Sequence, residues 1–410
     1  MKYLIVVPDG SGDDEIASLG GKTPLEVSNI PNINKLASRA LVGMVRTIPP
    51  GIPPGSDAAN LGLMGYDART DLAGRSPLEV ISIGIEMEPD DVAFRTNFIT
   101  VDGDGKYEDM TIVNHDAGCI SSEESTELIK ALNEEFGSDM LKYYTGTQYR
   151  HCLLVHGGRT DYETVPPHDH INKRIGDWFP QGDDADFLID MMRISYEIMN
   201  EHPVNQKRRG KGLPPANSIW IWGQGKRPKL VNFEDKYSVK GSVISAIDLI
   251  RGIAMYAGLG TVIVPGATGS LDTNYEGKAQ AALELFDDGK DFVYVHVEGP
   301  DESSHAGSLE DKIACIENID SRIVKPIVEG LRERGEDFRI LIAPDHRTPL
   351  AIRTHSSDPV PFVIYDSRNE LPEDNSKQFN ERAATATGVY VDEAFKLTDI
   401  LFEKLKYQLL

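Results

Sequence analysis

The sequence predicts an α/β fold in which a mostly parallel sheet carries helices on both of its faces. Short apolar runs bounded by glycine, proline or aspartate recur along the 410 residues, and such runs are typical of strands that are buried on both sides. Helix-length segments separate these runs, and an alternation of strand and helix favours a parallel sheet. The apolar runs lie at residues 3–7, 218–222, 262–266, 292–297 and 340–343, and the helical segments lie at 30–40, 185–202, 243–258, 276–289 and 316–335.

Residues 95–170 depart from this alternation and predict a small inserted α+β domain. Two strand-like stretches flank a Gly-Asp-Gly turn at 103–105, an amphipathic helical segment follows at 121–136, and a second strand pair follows at 142–158. We therefore expect a core domain made of residues 1–94 and 171–410 and an insert made of residues 95–170. Pro166 and Pro167, near the end of the insert, would suit a hinge.

The charge balance excludes two classes of partner. The chain carries 42 basic and 65 acidic residues, a net charge of −23, which repels nucleic acid and anionic membrane surfaces. The cysteines, Cys119, Cys152 and Cys315, are odd in number and show no CxxC spacing, so we expect a reducing compartment. The apolar run at the N-terminus is too short for a signal peptide or a membrane span. Together these features predict a cytoplasmic protein.

Ionisable residues follow three of the predicted strands at the point where each strand ends. Asp9 follows the first run, Asp301 follows the run at 292–297, and the pair Asp345 and His346 follows the run at 340–343. The carboxyl ends of parallel strands meet at one edge of a sheet, where ligands bind. Carboxylates so close together repel one another unless a cation neutralises them. A single aspartate after a strand is more often a turn or helix cap, but the three together predict a metal site.

Spacing adds two histidines to this set. Asp301 and His305 are four residues apart and share one face of a helical turn, and His355 follows His346 after a short loop. Mixed oxygen and imidazole ligands suit Zn²⁺ or Mn²⁺ better than Ca²⁺, and so many ligands exceed one tetrahedral site. We therefore expect two divalent metal ions about 3.5–4 Å apart, as in many phosphoryl-transfer enzymes. His296, inside a strand pattern, is interpreted as a core residue or as a neighbour of the ligands.

Ser56 is the candidate nucleophile. It lies where the glycine- and proline-rich loop "GIPPG" gives way to the helical segment "DAANLGLMG". A helix N-terminus favours a bound phosphate, and coordination to a metal would activate the serine hydroxyl. The alternative interpretation is an N-cap serine without a catalytic role.

These motifs resemble the cofactor-independent phosphoglycerate mutases of the archaeal type, which belong to the alkaline phosphatase superfamily. The resemblance rests on the residues above and on the segments "GGKTPLEVSNIPNINKLA", "PPGSDAANLGLMGYD", "GRSPLEVISIGIE", "PDESSHAG", "PDHRTP" and "RTHSSDPVPF", and it runs over nearly the whole chain. It implies an alkaline-phosphatase-like three-layer α/β/α sandwich with a small inserted domain. The implied reaction interconverts 2-phosphoglycerate and 3-phosphoglycerate without 2,3-bisphosphoglycerate, through a phosphoserine at Ser56.

The resemblance also implies a role for each site residue. One metal would be held by Asp301, His305 and His355, and the second by Asp9, Asp345, His346 and Ser56. The substrate would be bound by Arg95, Asn97, Arg150 and Lys278. Apart from the resemblance, His168 is added as a further positive residue of the insert that could grip a small polyanion. The metals would be Mn²⁺ or Zn²⁺, with Mg²⁺ or Co²⁺ as alternatives. The expected partner is a small phosphorylated substrate, with no nucleic acid and no membrane, and the sequence is compatible with a homo-oligomer.

One stretch departs from the family pattern. Asn114 and Cys119, in "NHDAGCI", stand where the family often has aspartate and arginine. Cysteine cannot replace the bidentate hydrogen bonding of arginine, so the substrate remains open. A homoserine kinase-like phosphotransferase is the runner-up, although the chain contains no G-x-x-x-x-G-K-[ST] loop. A phosphatase of the same superfamily is a further alternative, and a metal-binding protein without catalysis is the alternative from another class.

Overall fold

Strands form where apolar, β-branched and aromatic residues follow one another, and several helices begin at a capping side chain such as Thr23 or Ser121. The computed structural model describes residues 1–72 and 74–406. Its strands are β1 Lys2–Pro8, β2 Leu41–Val45, β3 Asp91–Asp102, β4 Thr111–Asn114, β5 Leu141–Thr147, β6 Arg150–His156, β7 Ser218–Lys226, β8 Gly241–Ile244, β9 Gly260–Val262, β10 Phe292–Val297, β11 Phe338–Ile342, β12 Val360–Asp366 and β13 Tyr390–Val391. Its α-helices are α1 Pro24–Val27, α2 Pro31–Ala37, α3 Ser56–Leu63, α4 Ala68–Asp71, α5 Ser76–Ser82, α6 Ser122–Phe136, α7 Asp186–Asn200, α8 Pro203–Gly210, α9 Phe233–Tyr237, α10 Asp248–Tyr256, α11 Tyr275–Asp287, α12 Gly299–Ala306, α13 Leu309–Ile319, α14 Lys325–Glu333, α15 Glu381–Ala386 and α16 Ala394–Leu401.

The chain divides into two units, Met1–Leu72 with Lys229–Leu410 and Ala73–Pro228. Within the described residues of the first unit, the strands form an eight-stranded sheet in the order β13-β2-β12-β11-β1-β10-β8-β9. Most neighbours in this sheet are parallel, and only β12 runs antiparallel to its neighbours β11 and β2. The predicted α/β fold with a mostly parallel central sheet is therefore confirmed.

Helices cover both faces of this sheet. Leu4 and Val6 of β1 belong to a buried cluster that includes residues of α2, α11, α13 and α14. Ile5 and Val7 point to the opposite face and are equally buried. On the described part of that face, α10 contacts β8, α16 contacts β11, and α3 contacts both helices. This arrangement is the three-layer sandwich that the alternation of strands and helices predicts.

The central strands bring the expected site residues to one edge. The strands β1, β10 and β11 are parallel neighbours, with Pro8 opposite Val297 and Val6 opposite Ile342. Their carboxyl ends therefore lie side by side, and the chain leaves them at Asp9, at the start of α12 and just before Asp345. Among the described residues, no helix combines the length and the hydrophobicity that a membrane crossing requires.

The second unit is an antiparallel sheet with helices packed on it. The long strand β3 pairs with β4, β6 and β7, and β5 pairs with β6. A buried cluster joins Phe94 and Phe98 of β3 to apolar residues of α6 and α7. This is the α+β architecture that the sequence predicts for the insert.

The predicted bounds of the insert are too narrow. The boundary at residue 95 falls inside β3, and the apolar run at 218–222 and the segment at 185–202 form β7 and α7 of the second unit rather than parts of the parallel-sheet layers. The cause is the long-range pairing of β7 with β3, which runs from Val92 opposite Lys226 to Ile99 opposite Ser218. Pro167 begins a short 3₁₀ turn within the unit, so the Pro-Pro pair is not at either boundary.

Candidate active site

Three buried carboxylates meet at the edge of the larger sheet. Asp9 and Asp345 are fully or almost fully buried, and Asp301 at the start of α12 is also buried. Gly10, with φ +61°, permits this close approach, because a Cβ there would lie 2.6 Å from Asp301 Oδ1 and from Thr348 Oγ1. Any larger residue at position 10 would push the loop after β1 away from the other two strand ends.

The first group of potential ligands consists of Asp9, Asp345 and His346, whose donor atoms lie within 4.8 Å of one another. His346 Nε2 lies 3.5 Å from Asp9 Oδ1 and 3.5 Å from Asp345 Oδ2. The backbone amides of Gly10 and His346 donate to Asp345 Oδ1 at 3.1 and 2.9 Å. Ser56 also contacts His346, so four predicted site residues lie together here.

The second group contains Asp301 and the two histidines predicted with it. His305 Nε2 lies 3.2 Å from Asp301 Oδ2, and His355 Nε2 lies 3.5 Å from Asp301 Oδ1. The donor atoms of Asp301, His346 and His355 also lie within 4.8 Å of one another. His346 therefore lies between the two groups and can serve either one. The role of all these residues as ligands stays a prediction.

The donor atoms fit divalent cations. Nε2 of His305 and Nε2 of His355 face each other at 3.1 Å, and the Nδ1–H of His305 donates to the Arg353 carbonyl at 2.9 Å, which directs its Nε2 towards Asp301 and His355. Asp9 Oδ1 is buried and, within the described residues, has no hydrogen-bond partner. Burial and the neighbouring charges of Asp345 and Asp301 raise the pKa of Asp9 well above its usual value. A cation would relieve each of these unfavourable features.

The pKa values of Asp301 and of the histidines beside it depend on one another. Burial opposes the ionisation of Asp301, but hydrogen bonds with His305 and His355 outweigh it and hold its pKa below the usual range. The hydrogen bond with Asp301 in turn raises the pKa of His305 to about 9. The cluster thus attracts positive charge, which a metal ion supplies when it replaces a proton.

Thr348 orients one potential ligand from each group. Its Oγ1 lies 2.5 Å from Asp301 Oδ1 and 3.2 Å from His346 Nδ1. A carboxylate can only accept, so the single hydroxyl proton is donated to Asp301, and the hydroxyl oxygen must accept from Nδ1–H of His346. His346 therefore presents an unprotonated Nε2 to the centre, which is the form that binds a metal. Thr348 was not among the predicted site residues.

Ser56 is the first residue of α3, and Gly55 occupies the N-cap position without a side-chain cap. Ser56 Oγ lies 3.1 Å from His346 Nε2. Since Nδ1 of His346 carries the proton, the serine hydroxyl donates to Nε2. The serine is thus directed at the ligand group, and the alternative interpretation as an N-cap is wrong.

Two further charged residues lie beside the carboxylates. Lys278 is buried and donates to the main-chain oxygen of His296 at 2.9 Å, and burial lowers its pKa to about 8. Glu298 was not predicted, but its carboxylate lies within 4.8 Å of donor atoms of Asp9 and Asp301, and burial raises its pKa to about 8. The available signal was its position directly after β10. His296 Nε2 is 2.9 Å from Asp9 Oδ2 without hydrogen-bond geometry, so His296 lies beside a predicted ligand.

The other predicted substrate residues belong to the second unit, where they lie near one another. Asn97 is opposite Arg150 in the pairing of β3 with β6. Arg95 lies with its guanidinium carbon 4.7 Å from the centre of the Trp222 ring, and Trp222 Nε1 donates to Asn97 Oδ1 at 3.2 Å. The His168 and Trp222 rings are 6.0 Å apart. Arg95 also forms an ion pair with Glu79, in which Nε lies 3.1 and 3.0 Å from the two carboxylate oxygens.

The departure at Asn114 and Cys119 falls in a tightly bonded loop of the same unit. Asn114 Oδ1 accepts from the amides of Asp116 and Gly118 at 2.9 and 3.0 Å, a role that an aspartate could also fill. Cys119 is exposed, has φ +52°, and its Sγ lies 3.3 Å from Asp116 Oδ2. The Asn114 side chain therefore holds this loop, and Cys119 contributes a thiol that contacts Asp116.

Comparisons with known proteins agree with this geometry. A family model described as 2,3-bisphosphoglycerate-independent phosphoglycerate mutase matches residues 37–205. A relative from Geobacter sulfurreducens, named probable 2,3-bisphosphoglycerate-independent phosphoglycerate mutase, is 43% identical over 98% of this chain and 100% of its own length. A relative from Methanosarcina mazei, which bears the same name without the qualifier, is 44% identical over 98% of this chain and 100% of its own length.

Solved structures are similar over the same length. A protein from Pyrococcus horikoshii has a TM-score of 0.81 and 30% identity, covering 98% of this chain and 96% of that one. The cofactor-independent phosphoglycerate mutase from Thermoplasma acidophilum has a TM-score of 0.69 and 25% identity, covering 98% of this chain and 99% of that one. Sequence identity over nearly the full length, together with the fold and the site, shows that the chain belongs to the family of 2,3-bisphosphoglycerate-independent phosphoglycerate mutases.

Proposed function

We propose that the protein interconverts 2-phosphoglycerate and 3-phosphoglycerate through a phosphoserine at Ser56, without 2,3-bisphosphoglycerate. The observation that carries the proposal is the position of the Ser56 hydroxyl, 3.1 Å from His346 Nε2 at the first residue of α3. A nucleophile at a helix N-terminus beside clustered aspartates and histidines suits phosphoryl transfer. Family membership supports the same activity.

Each half of the reaction moves one phosphoryl group. Ser56 Oγ loses its proton and forms a bond to phosphorus, the ester bond to one hydroxyl of glycerate breaks, and that hydroxyl takes up a proton. The other hydroxyl of the same glycerate then loses its proton and its oxygen bonds to phosphorus, the bond from phosphorus to Ser56 Oγ breaks, and Oγ takes up a proton. The substrate must stay bound between the two transfers while water is kept out, since water would release free phosphate.

The proposed cofactors are two divalent metal ions. Asp301, His305 and His355 would hold one, and Asp9, Asp345, His346 and Ser56 would hold the other, with Mn²⁺ or Zn²⁺ favoured by the mixed oxygen and imidazole donors. When bound, such ions lower the pKa of the serine hydroxyl and neutralise charge on the phosphoryl group. The buried, unpartnered Asp9 Oδ1 and the facing nitrogens of His305 and His355 support this assignment.

We propose Arg95, Asn97, Arg150, His168 and Lys278 as the substrate-binding residues. Arg150 is exposed and has no carboxylate partner within the described residues, so it is available to a small anion, whereas Arg95 would have to share its guanidinium with Glu79. The unpaired thiols Cys119, Cys152 and Cys315 suit a cytoplasmic enzyme.

The test supplies 3-phosphoglycerate to metal-loaded protein without nucleotide or 2,3-bisphosphoglycerate, and phosphorus NMR follows 2-phosphoglycerate and free phosphate together. We expect 2-phosphoglycerate without free phosphate. Free phosphate alone would indicate a phosphatase. No reaction, combined with ATP-dependent phosphorylation of homoserine, would indicate the kinase that the change at Cys119 left open.

The nucleophile and the anion site have separate tests. Ser56→Ala should abolish turnover and the phosphorylated peptide in mass spectrometry, while metal loading and folding remain. Retained turnover would assign the attack to water or hydroxide. Arg150→Ala should raise KM with little effect on metal content, and Arg193→Ala is its matched control, because Arg193 is a partly exposed arginine of the same unit paired with Asp190.

A further inference from the structure

Asn60 lies one helical turn after Ser56 in α3 and is completely buried. Its Nδ2 donates to Asp345 Oδ2 at 2.7 Å and to the main-chain oxygen of Ser56 at 2.9 Å. Its Oδ1 accepts from the Tyr294 hydroxyl at 2.6 Å. One side chain therefore contacts the nucleophile residue, a predicted metal ligand and the centre of the sheet.

The chemistry of its partners allows only one orientation of this amide. The Asp345 carboxylate and the Ser56 carbonyl can only accept hydrogen bonds, so both must face the NH₂ group of Asn60. The Oδ1 atom must then face Tyr294, and the tyrosine hydroxyl must be the donor. Each polar atom of the Asn60 side chain has a partner, so the amide cannot rotate without losing buried hydrogen bonds.

The other hydrogen bonds of Asp345 show why the fixed orientation of the Asn60 amide is important. Its Oδ1 is already occupied by the amides of Gly10 and His346. The Asn60 side chain donates to Oδ2, and it thereby helps to set the plane of the carboxylate. Tyr294 lies on β10 and is fully buried, so the amide is held from the middle of the sheet.

We propose that Asn60 and Tyr294 are positioning residues that fix Ser56 and the carboxylate of Asp345 relative to each other. Tyr294 acts through Asn60 by preventing rotation of its amide, and neither residue touches the substrate. The kinetic consequence rests on the proposed function, whereas the consequence for metal binding depends only on the geometry of Asp345.

Two variants of the whole 410-residue chain test these hydrogen bonds from Tyr294 through Asn60 to Asp345 and Ser56. Tyr294→Phe removes one oxygen, and we expect kcat to fall about tenfold while KM stays within about twofold. Asn60→Leu removes all three hydrogen bonds at similar volume, and we expect the Kd for Mn²⁺, measured by titration calorimetry, to rise at least about tenfold. Circular dichroism of each variant without metal establishes that the fold is retained.

A double-variant cycle separates positioning from a general loss of stability. If Tyr294 acts through Asn60, adding Tyr294→Phe to Asn60→Leu should cause no further change in kcat or in the Kd for Mn²⁺. The matched control is Tyr66→Phe, which removes a tyrosine hydroxyl that donates to the Val231 carbonyl at 2.7 Å. This control should lower thermal stability and leave kcat and metal affinity unchanged.

Two results would overturn the inference. One is a Tyr294→Phe variant that behaves like Tyr66→Phe in both kinetics and metal affinity. The other is a double variant whose fold-changes are the product of the single ones, because independent residues give independent effects. If the wild-type protein shows no mutase activity, the proposed function fails, but the Mn²⁺ titrations of the same four variants still decide the inference.

Discussion

Thr348 shows how much of the centre depends on a residue that is neither nucleophile nor ligand. Its hydroxyl is fully buried, donates to Asp301 and accepts from Nδ1–H of His346. Thr348→Val keeps the shape and removes both bonds, so we expect the affinity for Mn²⁺ to fall about 10- to 100-fold. Calorimetric titration measures the change. Thr348→Ser retains the hydroxyl and should stay close to the wild type; equal losses in both variants would mean that local packing around Thr348, and not its hydroxyl, determines the affinity.

His151 predicts an acid-sensitive step in the stability of the second unit. The ring is buried against Phe98, its Nδ1 accepts from the Gly146 amide, and burial lowers its pKa to about 3. Below pH 6.5, the ordinary pKa of histidine, His151 binds a proton in the unfolded chain but stays neutral in the folded chain. The free energy of unfolding therefore falls as the pH falls from 6.5 towards 3. Between pH 6.5 and 4.5 this amounts to about 2–3 kcal/mol.

Tryptophan fluorescence is the appropriate measurement, because Trp178, Trp220 and Trp222 all lie in the second unit. Urea unfolding at a series of pH values should show a shallower loss of stability in His151→Gln than in the wild type, since glutamine does not titrate. Identical slopes would mean that carboxylates, and not His151, cause the acid sensitivity.

At the level of single residues, sequence reasoning found side chains with a chemical signature and missed those defined by their contacts. Asp9, Asp345 and His346 stand at strand ends, and this position alone brings them together. Asn60 and Thr348 are ordinary polar residues in the sequence, and only partners far away in the chain give them a role. Such contacts leave no local pattern in composition or spacing.

Among the elements, α8 contains a buried structural arginine that its basic composition does not indicate. The run "NQKRRGKG" has the composition of a solvated loop, but Arg208 of α8 is 2% exposed. It donates to the carbonyls of Pro214 and Ala117 at 2.9 and 2.6 Å and pairs with Glu124 at 2.5 Å. Through Ala117 it holds the loop that contains Cys119, where Ala117 and Cys119 both have positive φ.

Arg208→Ala should therefore destabilise the second unit by about 2–4 kcal/mol, because it leaves Glu124 and buried carbonyls without their donor. Arg209→Ala is the matched control on the same helix, since Arg209 is exposed and bonds mainly to Asn200. Urea unfolding followed by tryptophan fluorescence distinguishes the two. Equal, small effects would contradict the assignment of Arg208 as the residue that holds this loop.

Helices and strands could be predicted wherever the apolar spacing was regular. The prediction failed where a single apolar segment contained a change of chain direction. The runs at 3–7 and 292–297 are strands, and the segment at 276–289 is α11. The segment at 243–258 instead contains the end of β8 and then α10, because Val243 and Ile244 pair with β10. Similarly, the segment at 316–335 contains a π-helical turn, Asp320–Val324, just before Pro326, whose missing amide hydrogen cannot continue the α-helical pattern.

For the whole molecule, the division into units follows from strand pairing rather than from sequence order. The second unit ends at Pro228 because β7 returns to pair with β3 more than a hundred residues earlier in the chain. Its buried cluster takes residues from β3, β6, β7, α6 and α7, and a unit of roughly 150 residues is a typical size for independent folding. The predicted insert of 95–170 lacks β7, α7 and the first residues of β3.

This difference gives a direct test with two fragments. Residues 73–228 expressed alone should unfold cooperatively in urea, with coincident transitions by far-UV circular dichroism and by the fluorescence of Trp178, Trp220 and Trp222. Residues 95–170 should show no cooperative transition, because this fragment lacks β7 and α7, against which the rest of the buried cluster packs. Separate transitions by the two probes in the longer fragment, or a folded shorter fragment, would mean that the pairing of β3 with β7 does not define the folding unit.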